Sequence, residues 1–173
     1  KPFLHTLHAY PDFRFAAHFS GWLLDWLRER HPADMALLAE MVRRGQVELF
    51  SSGATEPVRA AIPHRDRVGQ LRTLNDKLAA WTGVQPSGAW LTERVWESAV
   101  VPALAATGIR YVTVDDYHFF CTGQPAEALD GYYSTEEDGT RLDLFPISEA
   151  LRYRLPFSPA HEVIGYLESL ADQ

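Results

Sequence analysis

With 173 residues, 46% of them hydrophobic and 23% charged, the chain has the composition of a globular protein with one sizeable core. Its net charge of -7 and the lack of a Lys/Arg-rich stripe argue against a nucleic-acid partner, because no basic surface would neutralise phosphates. No stretch resembles a secretory leader or a membrane span, so we expect no membrane association.

Cys121 is the only cysteine, which excludes an internal disulfide framework and a cysteine-based metal site. A single free thiol suits a reducing compartment, and we expect a cytoplasmic protein. The chain begins at Lys1 without an initiator methionine and opens directly into helix-like sequence. We therefore expect residues 1–173 to be a fragment of a longer protein.

The first part of the chain predicts two strands, each next to helical sequence. Residues 13–18 alternate large apolar side chains with others and stop at a turn, which is typical of a short strand. Helical spacing follows in residues 22–30 and again from Pro32, which suits a first helical position, to Gly45. Residues 47–50 form the second predicted strand.

The rest of the chain continues the alternation of strands and helices. The predicted helices are residues 64–81, 97–106 and 159–170, and the predicted strands are 89–91, 111–114 and 142–147. Residues 117–141 contain Gly, Pro and acidic residues without periodicity, and we expect a long loop that overhangs a site.

Five strands connected by helices predict an α/β fold with about five parallel strands that curl toward a barrel. In such folds, chemistry collects at the carboxyl ends of the strands. Polar residues stand at these ends in this chain: His18, Ser20, Ser51, Ser52, Glu56, Glu93, Asp115 and Asp116.

Glu93 has the setting expected of a catalytic carboxylate. Cleavage of an acetal needs one carboxylate to trap an oxocarbenium-like centre and a second carboxyl group to protonate the leaving oxygen. Glu93 follows a short apolar strand, stands beside Arg94 and is flanked by Trp90 and Trp96, whose rings also suit sugar faces. The alternative is an ion pair at the start of a helix.

The other polar residues allow several interpretations. Glu56, in a polar loop after a strand, suits hydrogen bonds to sugar hydroxyls or simple solvation. Asp115 and Asp116 are adjacent, so at most one of them faces a ligand. His18 ends the first strand, but no pair of histidines has the spacing of a local metal motif, and no phosphate-binding glycine series or GxSxG elbow is present.

The chain resembles glycoside hydrolase family 57, closest to its 4-alpha-glucanotransferases and alpha-amylases. The run WLTERVW, from Trp90 to Trp96, is highly specific. The similar stretches are residues 13–24 (FRFAAHFSGWLL), 45–57 (GQVELFSSGATEP), 61–70 (AIPHRDRVGQ), 88–97 (GAWLTERVWE), 108–119 (GIRYVTVDDYHF) and 142–157.

The resemblance implies a (β/α)7 catalytic barrel that acts on alpha-1,4-glucans with retention of configuration and without a cofactor. It implies that Glu93 is the nucleophile, that Trp90 lies against bound sugar, that Glu56 contacts the sugar beside the scissile bond, and that Asp115 lines the site. Two family elements are missing: a first strand with a His-Gln-Pro motif, expected before Lys1, and a last strand with the acid/base Asp, expected after Gln173. We therefore expect an incomplete barrel that is inactive alone.

Two other interpretations stay open. One is a metal-dependent polysaccharide deacetylase on a related barrel, with His18 and Asp115 or Asp116 as ligands. The other is an inactive fragment that binds glucan at best. In the leading interpretation the partner is an alpha-glucan, and His18 lines the substrate site at the end of its strand.

Overall fold

A computed structural model describes residues 2–171 as an α/β fold with eight helices and six strands in that range. The helices are α1 (Pro2–His8), α2 (Gly21–Arg30), α3 (Pro32–Arg43), α4 (His64–Thr82), α5 (Val101–Ala105), α6 (Asp116–Phe120), α7 (Glu149–Arg154) and α8 (Ala160–Ala171). The strands are β1 (Phe15–His18), β2 (Val47–Phe50), β3 (Gly88–Ala89), β4 (Tyr111–Asp115), β5 (Tyr133–Glu137) and β6 (Thr140–Ile147).

The five predicted strands are present, and their pairings are parallel. β1 pairs with β2, and β3, β4 and β6 pair in that order. A bridge between Ser51 and Ala89 joins the two sheets, with Ser51 N donating to Gly88 O at 2.9 Å and Trp90 N donating to Ser51 O at 2.8 Å. Neighbouring parallel strands thus follow one another in chain order, but the sheets are small and do not close.

The prediction of one long loop over residues 117–141 is wrong. Helix α6 runs into this segment, and β5 pairs antiparallel with the first half of β6. The hairpin turn consists of Asp138 and Gly139, both with positive φ (51° and 73°), as a two-residue hairpin requires. An Asp-Gly pair is itself a hairpin signal, so the sixth strand was detectable in the sequence.

The helix predicted for residues 97–106 is shorter than expected. Residues 98–100 form a 3-10 turn, and α5 begins only at Val101, with Pro102 in its first turn where a missing N–H costs nothing. The other predicted helices are confirmed with small shifts of their ends. α4 stops where Gly83 adopts a left-handed conformation (φ 80°), a frequent way to end a helix.

Strand alternation separates a helix-covered face of the sheets from an open one. On β2, β4 and β6 the buried side chains are Val47, Leu49, Val112, Val114, Leu142 and Leu144. α4 contributes to both core clusters: Leu74 and Leu78 pack with β2, α2 and α3, whereas Leu71 packs with β3, β4, β6 and α5. The opposite face of the sheet carries partly buried and exposed aromatic and polar side chains.

An aromatic ladder crosses this open face. Phe50, Tyr111, Phe145 and Tyr132 contact one another in sequence, with ring centroids 5.2 to 5.7 Å apart. Burial raises the pKa of the Tyr111 phenol and a hydrogen bond with Glu48 raises it further, so this ring stays neutral at physiological pH.

Candidate active site

Glu93 lies on a turn immediately after β3, and its backbone is left-handed. Glu93 and Arg94 have φ values of 54° and 55°, which non-glycine residues adopt only rarely. The turn is closed by Arg94 N donating to Leu91 O at 2.8 Å and Val95 N donating to Thr92 O at 3.3 Å. Leu91 and Thr92 are buried and Glu93 is exposed, so the turn anchors itself in the core and presents the carboxylate outward.

The environment of Glu93 differs from the sequence-based interpretation in two respects. Arg94 does not pair with Glu93, because its Nε donates to Asp115 Oδ2 at 2.8 Å. Trp96 packs against the core cluster around β4 and β6, so it supports the turn rather than shielding the carboxylate. Although Arg94 and Trp96 are close to Glu93 in sequence, their side chains therefore point to other partners.

Trp90 is fixed through both of its backbone polar groups. Its N–H donates to Ser51 O, and its carbonyl accepts a hydrogen bond from the Arg59 guanidinium. Its ring stacks on His18, with centroids 6.4 Å apart and planes 22° from parallel. The end of β1 and the turn after β3 therefore meet at these two rings.

His18 and Glu56 form a pair at the carboxyl ends of β1 and β2. His18 Nε2 hydrogen-bonds Glu56 Oε1, and both side chains are partly buried. Glu56 has a left-handed backbone (φ 53°), the second such glutamate in this region. Residues in sparsely populated backbone regions persist only where the surrounding structure offsets their strain. Such residues cluster at functional sites.

Arg59 is a site residue that the sequence did not indicate. It is 3% exposed, and its guanidinium donates to Ser52 Oγ at 3.2 Å as well as to the Trp90 carbonyl. Burial lowers the pKa of Arg59 to about 10, an effect that the nearby Glu56 carboxylate partly offsets. A lone arginine in a polar loop looks solvated in the sequence, so no local signal distinguished it.

The two aspartates at the end of β4 point to different partners. Asp115 accepts from Arg94, and Arg152 Nη1 of α7 lies 3.8 Å from its Oδ1. Asp116 Oδ2 accepts from Glu149 N at 3.0 Å, at the first residue of α7. Asp115 is therefore tied to the turn that carries Glu93, whereas Asp116 positions α7.

Within residues 2–171, no group of three or more His, Cys, Asp or Glu side chains is arranged to hold a metal ion. The three residues considered as deacetylase ligands have other partners: His18 Nε2 hydrogen-bonds Glu56, Asp115 accepts from Arg94, and Asp116 accepts from Glu149 N. No helix in the same range is long and apolar enough to cross a bilayer.

The chain is similar over its whole length to proteins named as alpha-amylases and 4-alpha-glucanotransferases. It is 46% identical over 173 residues to an alpha-amylase from Pyrococcus horikoshii, covering all of this chain and 27% of that protein. The crystal structure of a 4-alpha-glucanotransferase from Thermococcus litoralis superposes with a TM-score of 0.93 at 45% identity, covering 98% of this chain and 27% of that one. The chain thus spans about a quarter of these relatives.

A more distant likeness extends to a candidate polysaccharide deacetylase from Mycobacterium smegmatis, with a TM-score of 0.62 at 18% identity over 87% of this chain and 46% of that one. At that identity the likeness shows a shared fold only. The sequence profile of glycosyl hydrolase family 57 matches residues 2–173, almost the entire chain. Together with the two close relatives, this match assigns the chain to glycosyl hydrolase family 57.

Proposed function

We propose that the protein to which this chain belongs is a retaining enzyme acting on alpha-1,4-glucans, of the 4-alpha-glucanotransferase or alpha-amylase type, with Glu93 as its nucleophile. The names of the two relatives at 45% and 46% identity support the substrate class. Because the chain spans only about a quarter of each relative, the activity belongs to the whole protein.

We propose further that residues 1–173 form part of a (β/α)7 barrel. The order β1, β2, β3, β4, β6 of the parallel strands supports this, because each neighbour in the sheet is the next parallel strand along the chain. Helices cover one face of these strands, and the open face with its aromatic ladder suits a barrel interior. The first and last barrel strands would come from segments outside residues 1–173.

The reaction needs two displacements at the anomeric carbon. In the first, Glu93 Oε attacks this carbon, the bond to the leaving glucan oxygen breaks, and a second carboxyl group protonates that oxygen. In the second, an acceptor hydroxyl or a water attacks the same carbon, the ester bond to Glu93 breaks, and the proton returns to the second carboxylate. In line with the family resemblance, we expect this second group to be an aspartate after Gln173.

The neighbouring residues have supporting roles in this proposal. Trp90 offers an aromatic face to a sugar ring. The Glu56 carboxylate, held by His18, accepts hydrogen bonds from sugar hydroxyls. Asp115 acts through Arg94 on the turn that carries Glu93. No cofactor has a role in either step, and we propose a cytoplasmic location on the basis of the single thiol.

One observation carries the proposal: the left-handed turn after β3 presents Glu93 at the edge of the sheets where Trp90, His18 and Glu56 also lie. Strand ends of a parallel sheet share one edge, and catalytic groups of such barrels are found there. Backbone strain clusters at functional sites, so the left-handed conformation of Glu93 supports a functional role for this carboxylate.

The test is Glu93→Gln in the full-length protein, with Glu97→Gln as a matched control at an exposed glutamate four residues further along. We expect Glu93→Gln to lower kcat on maltooligosaccharides by about 10⁴-fold or more and Glu97→Gln to leave it unchanged. Activity of Glu93→Gln near the wild-type level would overturn the assignment.

Chemical rescue makes the test specific for a nucleophile. Azide should restore turnover of an activated alpha-glucoside by Glu93→Ala and yield a beta-glucosyl azide, because a single displacement inverts the anomeric carbon. Loss of wild-type activity on chelation would instead support the metal-dependent deacetylase interpretation.

A further inference from the structure

An open pocket adjoins the His18–Glu56 pair on the surface of α2. Its volume is about 550 Å³, within the range of small-molecule sites. The lining residues are His18, Phe19, Ser20, Trp22, Leu23, Ala54, Thr55 and Glu56. Trp90 does not line it. The pocket is therefore connected to the region around Glu93 through the His18–Glu56 pair.

Trp22 is the most exposed tryptophan of this region. Its side chain is 80% exposed, whereas Trp26, one turn further along α2, is 45% exposed and has its ring against His31 at 5.3 Å. An indole ring left in water beside a pocket is a costly arrangement for a residue that usually buries most of its surface. It suits a ligand with both an apolar face and hydroxyl groups.

Close packing fixes Trp22 beside the loop that carries Glu56. Gly21 N donates to Ala54 O at 2.9 Å, and a Cβ at Gly21 would lie 2.7 Å from that oxygen, so no other residue fits. The loop is held in turn by α4, since Ala54 N donates to Gln70 O at 3.2 Å and Thr55 N donates to Gln70 Oε1 at 2.9 Å. The backbone segments that carry Trp22 and Glu56 are therefore held together.

We propose that Trp22 is the stacking platform of an additional sugar subsite, which binds a glucose unit of the glucan chain distant from the scissile bond. The pyranose face would lie on the indole ring and its hydroxyls would meet Ser20 at the pocket wall, whereas Glu56 contacts the sugar beside the scissile bond. The proposal rests on the proposed function, because it requires a glucan substrate. A glucan is the expected occupant because the pocket is continuous with the pair that adjoins Trp90.

A distant subsite affects only substrates long enough to reach it. In the full-length protein we expect Trp22→Ala to lower kcat/KM about tenfold for maltoheptaose and less than twofold for maltotriose, mainly through KM. Trp22→Phe should keep most of the wild-type value, because it retains an aromatic face. Phe157→Ala is the matched control, since Phe157 is 79% exposed but lies between α7 and α8. This variant should leave kcat/KM unchanged for both substrates.

The outcomes separate this proposal from the proposed function. A wild-type protein without activity on either maltooligosaccharide would overturn the proposed function, and the subsite with it. If the wild-type protein is active on both substrates and Trp22→Ala lowers kcat/KM equally for both, or for neither, the subsite alone is overturned. The latter result is also the one expected if another part of the protein or a second copy covers Trp22.

Discussion

Arg94 Nε donates to Asp115 Oδ2 over 2.8 Å and so ties the turn that carries Glu93 to the end of β4. The two side chains are only 31% and 21% exposed, which limits screening by water. The residue beside Glu93 in sequence therefore acts on the backbone of the turn. A left-handed turn at two successive non-glycine residues costs of order 1–3 kcal/mol for each, and such a tie helps to hold it.

Removing the tie should lower catalysis without removing a reacting group. We expect Asp115→Asn and Arg94→Met each to lower kcat about tenfold in the full-length enzyme, because Glu93 is then held less firmly. The double variant should lose little more than either single one. Steady-state kinetics of the four proteins gives the coupling free energy, which we expect to be about 1 kcal/mol.

A second ion pair in the chain provides the control. Arg141 Nη2 lies 3.4 Å from Asp143 Oδ1 on β6, but the arginine is 69% exposed. The same cycle on Arg141→Met and Asp143→Asn should give a coupling close to zero. Fully additive effects at Arg94 and Asp115 would show that the tie has no part in positioning Glu93.

Gly88 is required by a close approach between β3 and β4. A Cβ at this position would lie 2.7 Å from both Cε2 and Oη of Tyr111. We expect Gly88→Ala to destabilise the protein by about 1–3 kcal/mol through overpacking and to lower activity, since Trp90 and Glu93 follow on the same segment. Scanning calorimetry would report the lower unfolding temperature.

Gly69→Ala is the matched control for this prediction. Gly69 lies inside α4, is exposed, and has no atom within 4 Å of the point that a Cβ would occupy. Alanine there should raise the unfolding temperature, because it favours a helix by about 1 kcal/mol over glycine. If the cost of Gly88→Ala is the same in a Tyr111→Leu background, contact with the tyrosine ring is not its cause.

The lowered pKa of Arg59 predicts that the stability of the protein depends on pH in the alkaline range. Burial lowers the pKa of Arg59 to about 10 in the folded protein, well below that of the unfolded chain. Below pH 10 both the folded and the unfolded chain hold the proton, so Arg59 adds no pH dependence there. Above pH 10 the unfolded chain holds a proton that the folded chain releases, and the contribution of Arg59 to folding becomes more favourable as the pH rises.

The measurement compares the wild type with Arg59→Met. We expect the difference in unfolding free energy to stay constant from about pH 7 to pH 9 and to shift by about 1 kcal/mol in favour of the wild type between about pH 9 and pH 11. Denaturant titrations at each pH give this difference and cancel the titration of other groups. A shift in the opposite direction would contradict a lowered pKa at this buried guanidinium.

The strands and most helices could be predicted because their signals are local. Alternation in residues 47–50 and 111–114, the helical spacing around Leu71, Leu74 and Leu78, and the stop at Gly83 depend only on neighbouring residues. The missed strand β5 also had a local signal at Asp138 and Gly139. The weak periodicity of the surrounding residues concealed it.

Local sequence also determined which residues stand at strand ends, and so Glu93, Glu56, His18 and Asp115 could be selected as candidates. Their partners could not be predicted. Arg94 turns to Asp115, 21 residues away, and Arg59 reaches the carbonyl of Trp90, 31 residues away. Only the folded chain brings such residues together, because side-chain partners across a sheet depend on register, twist and the exact course of each turn.

The sequence by itself determined the family, the parallel α/β character of the chain and the position of a glutamate after its third strand. Tertiary structure alone decided that this glutamate is presented on a left-handed turn, that its neighbouring arginine holds the turn rather than the carboxylate, and that Trp22 stands open beside Glu56. The reason is physical: periodicity and turn chemistry act over a few residues, whereas close packing and ion pairing act between segments that only folding makes neighbours.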